Sequence, residues 1–230
     1  MSANSLEAVL FDLDGTLLDT APDFIDVLRT LMKQHGIQSA LSDLQIRSQV
    51  SHGAAALISL GFEIDNQHPD FPPLREQFLE LYAAQLSQRT RPFSGIETLL
   101  DDIEQQGLPW GIVTNKPALY ATALLKDLNL LQRSGTLICP DHVSRAKPHP
   151  EPMLLACERI NCNPLNTAYI GDHRRDIEAG AGAGMETVAV EYGYIDENDP
   201  INTWEADTVV TTVADLSQWF WQRIATPAAS

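Results

Sequence analysis

Two carboxylates one residue apart, Asp12 and Asp14, follow the apolar run Val9-Leu10-Phe11, and Gly15 comes directly after them. An aspartate in such a place can serve as a nucleophile, as a general acid or base, or as a hard oxygen ligand for Mg²⁺, an ion that usually sits between carboxylates and a phosphate. On a continuing strand the two side chains would face opposite ways. They converge only if the chain turns out of the strand, which Gly15 permits. The plainer alternative is a solvated turn, where Asp and Gly are common.

Three later stretches have the same character. Thr114-Asn115-Lys116-Pro117 sets a hydroxyl and an amide at a helix start, where free backbone N–H groups suit a phosphate. Lys147 stands in Ala146-Lys147-Pro148-His149-Pro150, whose prolines restrict its backbone. Gly171-Asp172 is followed by Asp176 at the opening of a helix. Each also has a plain reading: Thr114 as a helix cap, Lys147 as a surface lysine, Asp172 and Asp176 as acids complementing a helix dipole. Their order at successive strand ends joins them into one constellation, because an open parallel sheet binds ligands beyond the carboxyl ends of its strands.

The elements that must position these residues fall into two groups. Residues 18–90 read as helical, with no strand signal. A first helix follows Asp19-Thr20-Ala21-Pro22-Asp23, carries Phe24, Val27, Leu28 and Leu31 at helical spacing, and is closed by Gly36. Ser42-Asp43-Leu44-Gln45 resembles a capping box that begins a short second helix, and a third runs over about 53–60, stopped by Gly61. After a proline-bearing connector, a long helix sets Leu74, Phe78, Leu81 and Tyr82 on one face. From Pro92 onward strands at 110–114, 136–139, 167–170, 187–190 and 208–210 alternate with helices at 95–106, 117–128, 152–160, 174–183 and 213–224, and 226–230 reads as a loose tail. The expectation is an α/β fold: a doubly wound, Rossmann-like parallel sheet from 1–17 and 91–230, with an α-helical cap domain inserted at 18–90.

Fifteen basic against 31 acidic side chains leave a formal charge of −16, which repels nucleic acid and anionic membrane surfaces, so neither is expected as a partner. Lys147 is then the cation set against four acids. Cys139, Cys157 and Cys162 are few and odd in number, which fits reduced thiols and a cytoplasmic location. The N-terminal stretch lacks the basic start and long apolar run of an export signal, and no apolar run is long enough to span a membrane. A monomer or weak homodimer is expected.

Taken together, Asp12-Leu13-Asp14-Gly15-Thr16, Thr114, Lys147 and Gly171-Asp172 with Asp176 resemble the four motifs of the haloacid dehalogenase superfamily, over nearly the whole chain. The helical insert resembles the mobile cap of one subgroup. The resemblance implies that Asp12 attacks phosphorus and becomes an aspartyl phosphate. Asp14 would protonate the leaving alcohol and then activate water, so it must hold a proton at one step and be ionised at the next. Thr114, with Asn115 and nearby backbone, would hold the phosphoryl oxygens, and Lys147 would neutralise both Asp12 and phosphate. Mg²⁺ would be held by Asp12, the Asp14 carbonyl and Asp172, with Asp176 nearby. Members that attack carbon lack an acid at the Asp14 position, so Asp14 favours phosphoryl transfer.

Within the superfamily the chain looks most like phosphoglycolate-phosphatase-type enzymes. Trp110-Gly111-Ile112-Val113-Thr114-Asn115-Lys116-Pro117, Ile138-Cys139-Pro140-Asp141-His142-Val143 and Tyr192-Gly193-Tyr194 further resemble the branch acting on N-acetylmuramic acid 6-phosphate in cell-wall recycling. Two places depart from the family pattern: His173 after Asp172, and the cap turn Ser51-His52-Gly53. The substrate implied is a small-molecule phosphate ester carrying a carboxylate, with Arg47 and His52, which flank the turn after the Ser42 helix, as candidates to receive it. Their plain readings are a solvated helix residue and a turn residue. Gly53-Ala54-Ala55-Ala56 offers room for a sugar. A sugar-phosphate mutase would share every core motif, and a non-catalytic binding protein would be expected to have lost Asp12 or Asp14.

Overall fold

The structure, a computed structural model, describes residues 5–38 and 40–225; the expected tail at 226–230 lies outside them. The chain enters through β1 (Ala8–Phe11), whose four residues are all buried. Val9 and Phe11 join one apolar layer and Leu10 another, the alternation of a strand covered on both faces. Gly15 then turns the chain at φ +83, and a Cβ there would run into the Asp172 carboxylate. Only glycine fits that position.

β2 (Leu18–Asp19) leads into α1 (Ala21–Gln34), which has Pro22 and Asp23 in its first turn. α2 (Asp43–Arg47) starts at the expected capping box, in which Ser42 and Gln45 satisfy each other's backbone N–H groups. α3 (Gly53–Phe62) runs through Gly61 and ends at Glu63, which adopts a left-handed conformation. The expected stop at Gly61 is therefore corrected: a Cβ there would lie 2.8 Å from Leu28 Cδ1, so the glycine lets α3 press against α1. α4 (Phe71–Ala84) completes the helical group, and Phe24, Leu28, Ile58, Phe78 and Tyr82 form its separate apolar cluster. β3 (Arg91–Pro92) returns antiparallel to β2, pairing Leu18 with Pro92 and Asp19 with Arg91. This two-residue ribbon joins the helical group to the sheet, where no strand was expected, because two residues carry no readable alternation.

Beyond it come α5 (Ile96–Gln105), β4 (Trp110–Val113), α6 (Ala118–Asp127), β5 (Thr136–Ile138), α7 (Glu151–Ile160), β6 (Thr167–Gly171), α8 (Arg174–Gly182), β7 (Glu186–Val190), β8 (Thr208–Val210) and α9 (Val213–Ala225). The six long-range strands pair in parallel in the order β5-β4-β1-β6-β7-β8. Apolar residues of α5, α6 and α9 cover one face, and those of α7 and α8 cover the other. The connection order reverses at β1, and a doubly wound sheet opens a crevice at such a point.

Candidate active site

Parallel register brings the strand ends level. Phe11 stands opposite Ile112 and Ile170, so Asp12 emerges beside the ends of β4 and β6, where Thr114 and Asp172 follow. Asp12 is 5% exposed; its Oδ1 accepts from Leu13 N at 2.7 Å and lies 2.9 Å from Lys147 Nζ. The Lys147 side chain is wholly buried. Its ammonium donates to the Val113 carbonyl at 2.9 Å and to the Tyr169 hydroxyl at 2.8 Å, and stands 2.7 Å from Asp176 Oδ1. The surface-lysine reading is thereby corrected.

Asp176 divides its carboxylate. Oδ2 accepts from His173 N at 3.0 Å, closing the N-terminal turn of α8, while Oδ1 faces Lys147. Asp172 accepts from Thr16 Oγ1 at 2.8 Å and from Tyr194 N at 3.0 Å, and the cap residue Ser51 reaches it at 3.4 Å. Burial, with the charges of Asp12 and Asp176 alongside, pushes Asp172 well above the ordinary carboxylate range. Burial also raises Asp176, against the pull of Lys147. Asp12, Asp172 and Asp176 can each bring a carboxylate oxygen within 4.8 Å of the others. Three buried acids facing one lysine are under-neutralised and offer only oxygen, which fits a hard divalent cation such as Mg²⁺.

Asp14 does not turn its carboxylate to this trio. It lies 2.9 Å from the ammonium of Lys116 and accepts from Thr20 Oγ1 at 2.7 Å, leaving its backbone carbonyl as the group expected to face a metal. Lys116 was not picked out from the sequence, and it corrects the expectation that Lys147 alone balances the acids. It is buried between the rings of Phe24 and Tyr82, 4.8 and 4.9 Å from their centres. Burial disfavours its charge, but Asp14 and Tyr82 outweigh that and hold it above the ordinary lysine value. Thr114 Oγ1 accepts from Lys116 N at 3.1 Å, and Asn115 Nδ2 donates to the Lys147 carbonyl at 3.0 Å, tying two strand-end loops together. The cap reading of Thr114 is corrected: α6 begins after Pro117 with no side-chain cap, and Thr114 braces the loop before it.

Above Asp12 and Asp14 lies a cavity of about 350 Å³, lined from the core by Thr114, Asn115, Lys116 and Arg175 and from the cap by Ser51, His52, Gly53 and Arg75 among others. Arg47 is not part of it. Its guanidinium is bound to Asp19 at 2.8 Å and lies over the Tyr194 ring at 4.7 Å, so it ties α2 to the linker and the core rather than waiting for a carboxylate. His52 does line the cavity, with its ring edge-on to His173 at 5.1 Å. Burial and the nearby Arg175 lower its pKa, so at neutral pH it presents an uncharged ring. Arg175, also not anticipated, donates to the Ser51 carbonyl and bridges core to cap. Within His173-Arg174-Arg175-Asp176 no local pattern tells which of two adjacent arginines faces the cavity.

An open parallel sheet with a nucleophile-type acid, a buried lysine and an acid trio at its switch point defines a hydrolase of the α/β class with a lid of helices. Residues 9–190 match the model of the haloacid dehalogenase-like hydrolase family, and the chain belongs to that family. It is 47% identical over 92% of its length to an N-acetylmuramic acid 6-phosphate phosphatase of Pseudomonas putida, of which the match covers 94%. It is 39% identical over 96% of its length to a phosphoglycolate phosphatase of Xanthomonas campestris, covering 97% of that chain. A solved Haemophilus somnus structure, described as a predicted phosphoglycolate phosphatase, shares the fold with a TM-score of 0.82 at 24% identity, over 94% of this chain and 99% of that one. The chain is an enzyme of the phosphatase type.

Proposed function

We propose that the chain is a Mg²⁺-dependent phosphomonoesterase that passes the phosphoryl group of a small carboxylated ester to Asp12 and then to water. The observation that carries this reading is the pairing on the cavity floor, Asp12 at 2.9 Å from Lys147 and Asp14 at 2.9 Å from Lys116. A carboxylate facing a phosphate dianion is repelled, and these cations let the two meet. An Asp12 oxygen attacks phosphorus. The bond from phosphorus to the ester oxygen breaks as Asp14 gives that oxygen its proton, and an aspartyl phosphate remains. Asp14, now ionised, takes a proton from water, whose oxygen attacks phosphorus and releases Asp12 and inorganic phosphate. Thr114, with Asn115 and the backbone beside it, holds the phosphoryl oxygens, the Thr114 hydroxyl still having its own proton to donate while it accepts from Lys116 N. Asp12, Asp172 and the Asp14 carbonyl would hold Mg²⁺, with Asp176 alongside, and the ion supplies positive charge to the transferring oxygens.

The named relatives point to N-acetylmuramic acid 6-phosphate or 2-phosphoglycolate as substrate. A cytoplasmic site of action fits the three free cysteines; among the described residues no helix is long and apolar enough to cross a membrane. The test is phosphate release from phosphorylated sugars, two- and three-carbon phosphoacids and nucleotides with Mg²⁺ present. Asp12→Asn should keep the fold and lower kcat at least about a thousandfold, or ~4 kcal/mol of barrier. A variant retaining a tenth of the activity, or substrate conversion with the phosphoryl group returned to sugar, contradicts the reading.

A further inference from the structure

The cavity over Asp12 continues outward. It adjoins an open groove of about 650 Å³ between α4 of the cap and the start of α6, and the two share Arg75, Leu79 and Tyr120. Pro72, Arg75, Glu76, Leu79 and Ala83 recur along α4 at helical spacing and form its bank of the groove, and Tyr120 forms the other.

The cations facing this space are not equivalent. Lys116 is held by Asp14, Arg175 by the Ser51 carbonyl, and His52 is uncharged at neutral pH. Arg75 has no hydrogen-bond or ion-pair partner among the described residues, although the chain carries 31 acidic side chains. The helix explains why. Phe71 and Pro72 lie four and three residues before it, and Phe78 and Leu79 three and four after, so no acid occupies a neighbouring position on its face. Glu76 and Glu80 line the outer groove and disfavour an anion farther out.

We propose that the outer groove receives the part of the substrate distal to the phosphate, and that Arg75 takes a carboxylate there while Leu79 and Tyr120 lie against apolar substrate surface. This rests on the phosphatase reading above and narrows it. Arg75, Leu79 and Tyr120 line both spaces, and in a two-carbon phosphoacid the carboxylate is a single carbon from the ester oxygen, so such a molecule leaves the outer groove empty. A sugar between phosphate and carboxylate fills the inner cavity and extends into the groove beside Arg75. The substrate class is therefore a phosphorylated sugar acid.

The test compares N-acetylmuramic acid 6-phosphate, N-acetylglucosamine 6-phosphate (the same sugar without the lactyl carboxylate) and 2-phosphoglycolate. Arg75→Ala should lower kcat/KM about tenfold for the first, chiefly through KM, and change the second by less than about twofold. Arg75→Lys should recover part of the loss by restoring the charge. Equal losses on both sugars, or no loss on the acid, overturn the role of Arg75. Wild-type preference for 2-phosphoglycolate over both sugars overturns the substrate class and leaves the phosphatase reading standing, whereas no phosphate release from any of the three overturns both.

Discussion

In the proposed reaction Lys116 sets the direction of Asp14, the group that transfers the proton. Its ammonium is sealed between Phe24 and Tyr82 and reaches both Asp14 oxygens, at 2.9 and 3.2 Å, so the carboxylate's direction is set by a group that cannot swing away. Lys116→Met should lower kcat about a hundredfold with KM changed much less, because a misdirected general acid affects proton transfer more than binding. Stopped assays over a substrate series would show this, and a variant with unchanged kcat would remove Lys116 from the mechanism. Asp12, Asp14, Thr114 and Asp172 were legible in the sequence because each stands at or just past a strand end, where local pattern alone says the chain leaves the sheet, and Lys147 and Asp176 because of the prolines around the one and the helix opening at the other. Lys116, Arg175 and Arg75 were not. Their significance depends on how the cap meets the core, a relation that no local spacing encodes. Arg47 misled for the same reason: a lone cation beside the cap turn is indistinguishable in sequence from one spent on Asp19.

At the scale of elements, one acid fastens the second linker to the cap. Asp23, 2% exposed in the first turn of α1, accepts from Arg89 N at 2.7 Å, Thr90 N at 3.0 Å and Thr90 Oγ1 at 2.6 Å, which pins the second linker to the base of the first cap helix. Asp23→Ala would leave three donors without a partner, the two on Thr90 buried. It should cost about 3 kcal/mol in denaturant unfolding and speed hydrogen exchange at Arg89, Thr90 and Arg91; an unchanged midpoint would show that water replaces the acid easily. The capping box at Ser42 and the buried apolar strands could be read from sequence since their signals are local. The β2–β3 ribbon and the passage of α3 through Gly61 could not, the first for shortness and the second because the glycine answers to Leu28 on another helix.

Across the whole molecule, a chain of charge −16 concentrates three carboxylates in a buried cluster, and this should appear as a pH-dependent need for metal. Burial raises Asp172 from 3.8 to about 7, so without metal the folded state holds more protons than the unfolded one between those values. Stability then falls as pH rises through the window, because the slope follows protons bound unfolded minus protons bound folded, here negative. In the proposed reaction Mg²⁺ would bind the ionised form. The melting temperature of chelated protein should drop from pH 5 to pH 8, Mg²⁺ should raise it more at pH 8, and Asp172→Asn should flatten the difference; equal Mg²⁺ shifts at both pH values would contradict this. The proposed reaction passes through a covalent phosphate at Asp12. The most direct measurement is to quench the enzyme during turnover of N-acetylmuramic acid 6-phosphate, reduce the acyl phosphate with borohydride, and map the peptides by mass spectrometry. Conversion of Asp12 to homoserine only when substrate and Mg²⁺ are present is the expected result; full turnover with Asp12 unmodified, or reduction at another acid, would contradict it.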